Sequence, residues 1–278
     1  MIGVDVSVFS TAMSAGAVQR FTPRDLNPVA LYDGGGLLQS ASVVGVDTGD
    51  PVGILIDSAQ GASFLGGSFA GLGEELFVSP VMTGAVSDAG GGAYTFDWTS
   101  GAPASVVVPN VLTIGALYLV SFSLSDRVSG SLAVSLQAFE NGGTHNSNGT
   151  FSVLVTATNG DDIRFDRSGS AGQFTLSGIT VMEVPGVHAQ APSASARPVL
   201  ESDGSLSADG DDAMILPLTG TFSAYIAADG VLIADETTSM ASDYNILRDG
   251  FIGAVVVAGV LTPAEKAQLA AYWGVFLP

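Results

Sequence analysis

Between residues 132 and 184 the chain repeats short segments in which every second residue is apolar, separated by glycine-rich and polar punctuation. Leu132, Val134, Leu136 and Ala138 alternate with Ala133, Ser135 and Gln137. Phe151, Val153 and Val155 repeat the pattern, then Ile163 and Phe165, then Phe174 and Leu176. A period of two turns one face of each segment to a core and the other to water. Short segments at this spacing, with no helical pattern between them, predict antiparallel strands of a β-sandwich. Between Leu176 and Ile179 the apolar phase slips by one position at Ser177-Gly178, as a β-bulge would make it do.

A chain of 278 residues suits two or three modest domains. It is 47% hydrophobic and 13% charged, with 36 glycines, the balance of a rigid assembly protein and not of a disordered one. Its 27 acidic against 8 basic residues give a net charge of −19, and Lys266 is the only lysine. Such a field repels nucleic acid and anionic lipid, so neither is expected as a partner. With no cysteine there is no disulfide, thiolate nucleophile or cysteine-ligated metal. Residues 1–20 lack the basic start and continuous apolar core of a secretory signal. No segment reaches the roughly 18 apolar residues of a membrane helix. The expectation is a chain assembled in a reducing cytoplasm.

The fold class expected is mainly β, in four stretches. Residues 1–60 read as an N-terminal anchoring arm, Pro- and Gly-rich, in which Val4, Val6 and Val8 alternate with Asp5 and Ser7 as an assembly strand that adds to a neighbour's sheet. Residues 61–185 read as a jelly-roll-like antiparallel sandwich with strands at 75–78, 93–98, 104–108 and 117–124. Residues 186–198 read as a linker rich in Ala, Ser and Pro. Residues 199–278 read as a small β domain, with strands at 205–208, 213–216, 221–227, 231–234 and 251–257 and one closing helix. For that helix Thr262 is the N-cap, Pro263 the first helical residue, Glu265 the partner in a capping box and Gly274 the stop. Leu269, Tyr272 and Trp273 form its expected apolar face.

Gly49, Asp50, Pro51, Val52 and Gly53, followed by an aliphatic run and the Asp57-Ser58 pair, resemble a segment that precedes the adhesive domains of tailed-phage virion proteins. Residues 73–184 are similar to the carbohydrate-binding-module type of jelly roll in those proteins, and "GQFTLSGITVMEV" to its last strand. "LSADGDDAMILP" and "LTPAEKAQLAAYWG" are similar to the first strand and terminal helix of a laminin-G domain, here much shortened. The resemblance implies a gene product displayed on a virion or gene-transfer-agent-like particle, as a head spike, turret or fibre.

Trp98, aligned with Tyr94 and Phe96 on one strand face, could stack on a sugar ring or sit in the core. His145, Asn146 and Asn148, with Asn141, lie in a polar loop whose amides could read sugar hydroxyls. Asp209, Asp211 and Asp212, like Asn159, Asp161 and Asp162, offer oxygen ligands around a glycine turn that suit calcium; without it they are hairpin turns. Glu74, Glu75, Glu140, Glu183, Asp97 and Asp126 are available for a glycosidase pair, but no spacing selects two of them. His188 lies in the linker, and no Gly-x-Ser-x-Gly elbow is present.

The expected function is therefore that of a virion structural protein with host-glycan binding and without catalysis. It would be a homo-oligomer, a trimer or, as a turret, a pentamer. Its partners would be other virion proteins and a host surface polysaccharide, with no required cofactor beyond the calcium that the acidic turns allow. The rival readings are a capsid decoration or cement protein and a polysaccharide depolymerase.

Overall fold

The computed structural model describes residues 21–33, 36–39, 43, 45–65, 67–99, 101–135, 143–157, 162–241 and 243–278. Val4, Val6 and Val8 lie outside the described residues, as do Leu136, Ala138, Glu140, Asn141, Asn159 and Asp161. The chain is mainly β, as its alternation requires. In order come β1 (Ala30–Tyr32), β2 (Leu37–Leu38) and β3 (Ile54–Leu55), then the hairpin of β4 (Ser63–Leu65) and β5 (Ser68–Ala70). Next are β6 (Val81–Gly84), β7 (Val86–Gly90), β8 (Ala93–Trp98), β9 (Ala104–Val108), β10 (Leu117–Ser135), β11 (Thr144–His145), β12 (Gly149–Thr156) and β13 (Ile163–Val184). The chain closes with β14 (Ala189–Gln190), β15 (Val199–Leu200), β16 (Leu206–Ser207), β17 (Ile215–Leu216), β18 (Gly220–Ala228), β19 (Val231–Met240), β20 (Tyr244–Asn245), β21 (Phe251–Val257) and helix α1 (Pro263–Trp273).

Strands β6 to β13 form the expected sandwich, but two of its strands are far longer than the alternation suggests. β10 and β13 each run through both layers. One half of β10 pairs with β12 and with the end of β13; its other half pairs with β11 and with the start of β13. β8 and β9 extend the two halves of β13, with β7 and β6 at the edges. Register shifts let the pair bend. Ser121 faces Thr180 and Ser123 faces Ser177, so β13 carries an extra residue at the Ser177-Gly178 slip, where Gly178 adopts φ 59°. A second set of shifts, between Ser125 and Ser131, makes the crease. There the backbones of Gly130 and Gly172 meet beneath the Trp98 ring: a Cβ on Gly172 would fall 2.3 Å from the ring and one on Gly130 2.5 Å from it. Phe96, Phe122, Phe165 and Phe174 fill the space between the layers.

The remaining strands correct the expected domain order. The described residues between 21 and 60 are no free arm. β1 lies along β21, with Leu31 opposite Val255, and β2 and β3 join β14, β17 and β20 in a five-stranded sheet. Nor are residues 186–198 a loose linker: Ala189 is fully buried, and β14 is the middle strand of that sheet. The outer unit is thus discontinuous, built from residues before and after the sandwich, and the sandwich is inserted into it. Ala30, Ile226 and Val256 of its six-stranded sheet face Leu55, Ala189 and Leu216 of the five-stranded one. Leu31, Tyr225 and Val255 point the other way, onto Leu269 and Ala270 of α1. Burial on both faces explains the unbroken apolar run of β21.

Helix α1 has the expected ends. The Thr262 hydroxyl accepts from the Glu265 N–H at 3.3 Å, Glu265 Oε2 accepts from the Thr262 N–H at 2.7 Å, and Gly274 adopts φ 68°. Its face is narrower than expected, because Tyr272 is 45% exposed.

Candidate functional site

Two places concentrate polar groups in an ordered way. The first is the outer face of the layer formed by β12, β10, the end of β13, β8 and β7. The residues between the core positions of these strands are nearly all hydroxylic. Ser152, Ser121 and Thr180 form one cross-strand row, and Thr150, Ser123 and Ser177 a second. Ser125, Thr175, Thr95 and Ser87 form a third. The hydroxyls of Ser121 and Ser152 lie 2.9 Å apart, as do those of Ser123 and Thr150. No ionisable residue stands in the three rows. Asp97, opposite Gln173, borders the face at one end; at the other, Leu119 and Leu154 are packed against the segment that includes Leu38 and Ile56. The strands that carry the rows lie about 4.8 Å apart. A hydroxyl both donates and accepts, so this is an uncharged hydrogen-bonding lattice on a rigid sheet.

The sequence-predicted glycan residues are placed differently. Trp98 is a correction: it is 2% exposed, with its ring edge-on to Phe174 and sealed by the crease glycines, so it offers no stacking surface. Tyr94 and Phe96 are core residues for the same reason. His145 is half-buried, and its ring packs on Phe122 and Phe151 at centroid distances of 4.9 and 4.6 Å. Asn146 and Asn148 are exposed, and Asn148 Oδ1 accepts from the Arg127 N–H at 3.1 Å. Gly149 lies opposite Leu124, so these two amides border the hydroxyl face. Sequence reasoning looked for the site in loops and aromatics; the signal it passed over was the polar partner in each alternation, Ser121, Ser123 and Ser125.

The acidic candidates build turns. Asp212 Oδ2 accepts from the Asp209 N–H at 2.9 Å, and Asp209 Oδ1 from the Asp211 N–H at 3.3 Å. The neighbouring Asp209 carboxylate pushes the Asp211 carboxyl above its ordinary range. Asp162 accepts from the Asn110 N–H at 3.1 Å. Among the described residues no three His, Asp or Glu side chains converge to hold a metal. Of the acids available for a glycosidase pair, Glu75 accepts from the Phe77 and Val181 N–H groups, and Asp126 from the Ser125 hydroxyl.

The second place is the neck, where the chain leaves the outer unit for the sandwich and returns. Asp57, fully buried, accepts at Oδ1 from the N–H groups of Leu31 (2.7 Å) and Ala59 (2.8 Å), and at Oδ2 from Val187 (2.7 Å). Its own N–H donates to His188 Nδ1 at 3.1 Å, and His188 Nε2 lies 2.8 Å from the Val184 carbonyl. Tyr32 donates its hydroxyl to the Val187 carbonyl. Burial lifts the Asp57 carboxyl above the usual carboxylate range, against the pull of its three N–H donors and His188. Burial lowers His188, against Val184, Asp57 and Glu183. Ser58 completes the residue types of a hydrolase triad, but its hydroxyl donates to Asp33 at 2.7 Å and not to the imidazole. The Asp57-Ser58 pair fastens the chain; Gly186 (φ 130°) makes room, since a Cβ there would lie 2.7 Å from Asp57 Oδ2. The rest of the motif lies in the same seam: Val52 N–H donates to Pro198, and Gly53 N–H to Leu38.

No protein-family model matches this chain, and no curated protein matches it significantly in sequence.

Proposed function

We propose that this chain is a structural protein displayed on a tailed-phage or similar particle, where it binds a neutral glycan of the host surface without catalysis. The observation that carries the glycan reading is the uncharged hydroxyl lattice of Ser121, Ser123, Thr150, Thr175 and their neighbours. Each hydroxyl of a polyol both donates and accepts, which Ser and Thr hydroxyls can answer in both senses and an ionised carboxylate, which only accepts, cannot. On a chain of net charge −19, a face with no charge of its own also favours a ligand without charge. The exposed amides of Asn146 and Asn148 replace Trp98 and His145 as the loop contribution. The placement on a particle rests on the likeness of residues 49–58 to virion segments, and the outer unit would hold the neighbouring virion proteins. Calcium is not required by this reading.

The decoration or cement reading has one observation in its favour. Val78, Val81 and Met82, at 56, 54 and 41% exposure, line the β6 edge and offer an apolar contact to another subunit.

The test is saturable binding of the full chain to purified host polysaccharides, with chromatography of the supernatant. Binding of a neutral polymer without released sugars is expected, weakened at least tenfold by Thr175→Asp combined with Ser123→Asp. Released oligosaccharides would establish a depolymerase. Absence of binding to every polymer would leave the decoration role.

A further inference from the structure

The neck contains the group best placed to make the molecule respond to pH. We propose that His188 is an acid-operated latch: as the neutral imidazole it ties the outgoing and returning chain crossings together, and its protonation releases the 185–191 segment and loosens the inserted sandwich.

Only the tautomer with hydrogen on Nε2 fits, because Nε2 faces a carbonyl, that of Val184, and Nδ1 faces an N–H, that of Asp57. A second proton has to enter at Nδ1, where it would confront a donor. His188 is 3% exposed, so no solvent shell is at hand to receive it. Three ionisable side chains face the imidazole or its immediate neighbours. Asp57 comes from the crossing that follows β3, Glu183 from the end of β13 and Tyr32 from β1. Asp57 and Glu183 favour the imidazolium, but the Asp57 carboxylate is already committed to three backbone N–H groups, two of them across the neck from His188's own segment. For Asp57 to turn toward a charged His188, it would have to give up Val187 or Leu31. In either case Nδ1 ceases to accept from the Asp57 N–H, a bond that ties the outgoing crossing to the returning one, so protonation of His188 removes a bond that closes the neck.

The sign follows. Burial depresses the folded-state pKa of His188 below 6.5, so the stability it contributes is present above 6.5 and is lost as the pH falls from there toward the lowered value. Asp57, raised by burial, works in the opposite sense, since its buried charge weakens the neck as the pH rises from 3.8 toward its raised value. The acid response near and just below pH 6.5 therefore belongs to His188.

Hydrogen exchange of the full chain between pH 7.5 and 5, corrected for intrinsic rates, tests this. Opening at the Asp57, Val187 and Ala191 amides is expected to rise by up to about tenfold per pH unit below 6.5, while Val120 and Phe122 in the sandwich stay protected. In His188→Gln, whose amide can accept and donate at the same places without titrating, the rise is expected to vanish. A flat response in the wild type, or an undiminished rise in the variant, would overturn the latch. A titration of the His188 ring by NMR in the wild-type chain is an independent check: a Nε2–H tautomer with a midpoint below 6.5 is expected, and a midpoint at or above 6.5 would overturn the latch.

Discussion

At the residue scale the sandwich depends on positions where a side chain would not fit. Gly172 and Gly130 let two long strands cross from one layer to the other, with the Trp98 ring closing over both. Gly172 has no left-handed backbone, so the requirement there is purely one of space. Gly172→Ala is expected to lower stability by about 1–3 kcal/mol through overpacking, read from urea unfolding. Gly91→Ala, with nothing within 4 Å, is the comparison for backbone strain alone. The sequence names glycine at both positions without announcing why. The reason is a ring from β8, more than thirty residues before Gly130, which no local pattern reveals.

At the element scale, legibility follows the range of the forces involved. Ala93–Trp98, Ala104–Val108 and Phe251–Val257 are strands over the residues their composition suggests. The ends of α1 are set by neighbours within four residues, so they are readable too. Thr262→Ala removes the acceptor for the Glu265 N–H and is expected to cost about 1 kcal/mol, seen as a lower midpoint in thermal or denaturant unfolding. β10 and β13 were not readable as single strands. Residues 125–131 and 168–173 contain the serines and glycines of ordinary turns, with Asp126, Gly130 and Gly169 at positive φ, and interrupted pairing between the two strands carries them through the crease. The expected strand at 75–78 is a single bridge from Glu75 to Met182, because Glu75 spends its carboxylate on the Phe77 and Val181 N–H groups.

At the scale of the whole molecule, alternation and composition suggest units placed one after another, while the chain nests one inside the other. β1, β2 and β3 are two or three residues long, too short to carry a period, and the strands that tie β1 and β3 to the rest of the outer unit, β21 and β14, lie more than a hundred residues away. What joins them is burial: Leu38, Ile54 and Ile56 of the outer unit share a core with Leu117, Leu154 and Val184 of the sandwich. The candidate face was hidden for a related reason. Its hydroxyls are spread over five strands, and only the register of the sheet collects them into rows. The outer unit, closed by Asp57 and His188 at the neck, presents this face as a fixed surface.

The central claim is that this face binds a neutral glycan, and the most direct measurement is a hydrogen-exchange footprint of the full chain with and without a saturating neutral polysaccharide. The account predicts added protection confined to 121–125, 150–152 and 175–180, with a smaller effect at 146–148. Protection centred on the β6 edge, or none anywhere on the sandwich at saturation, would contradict it.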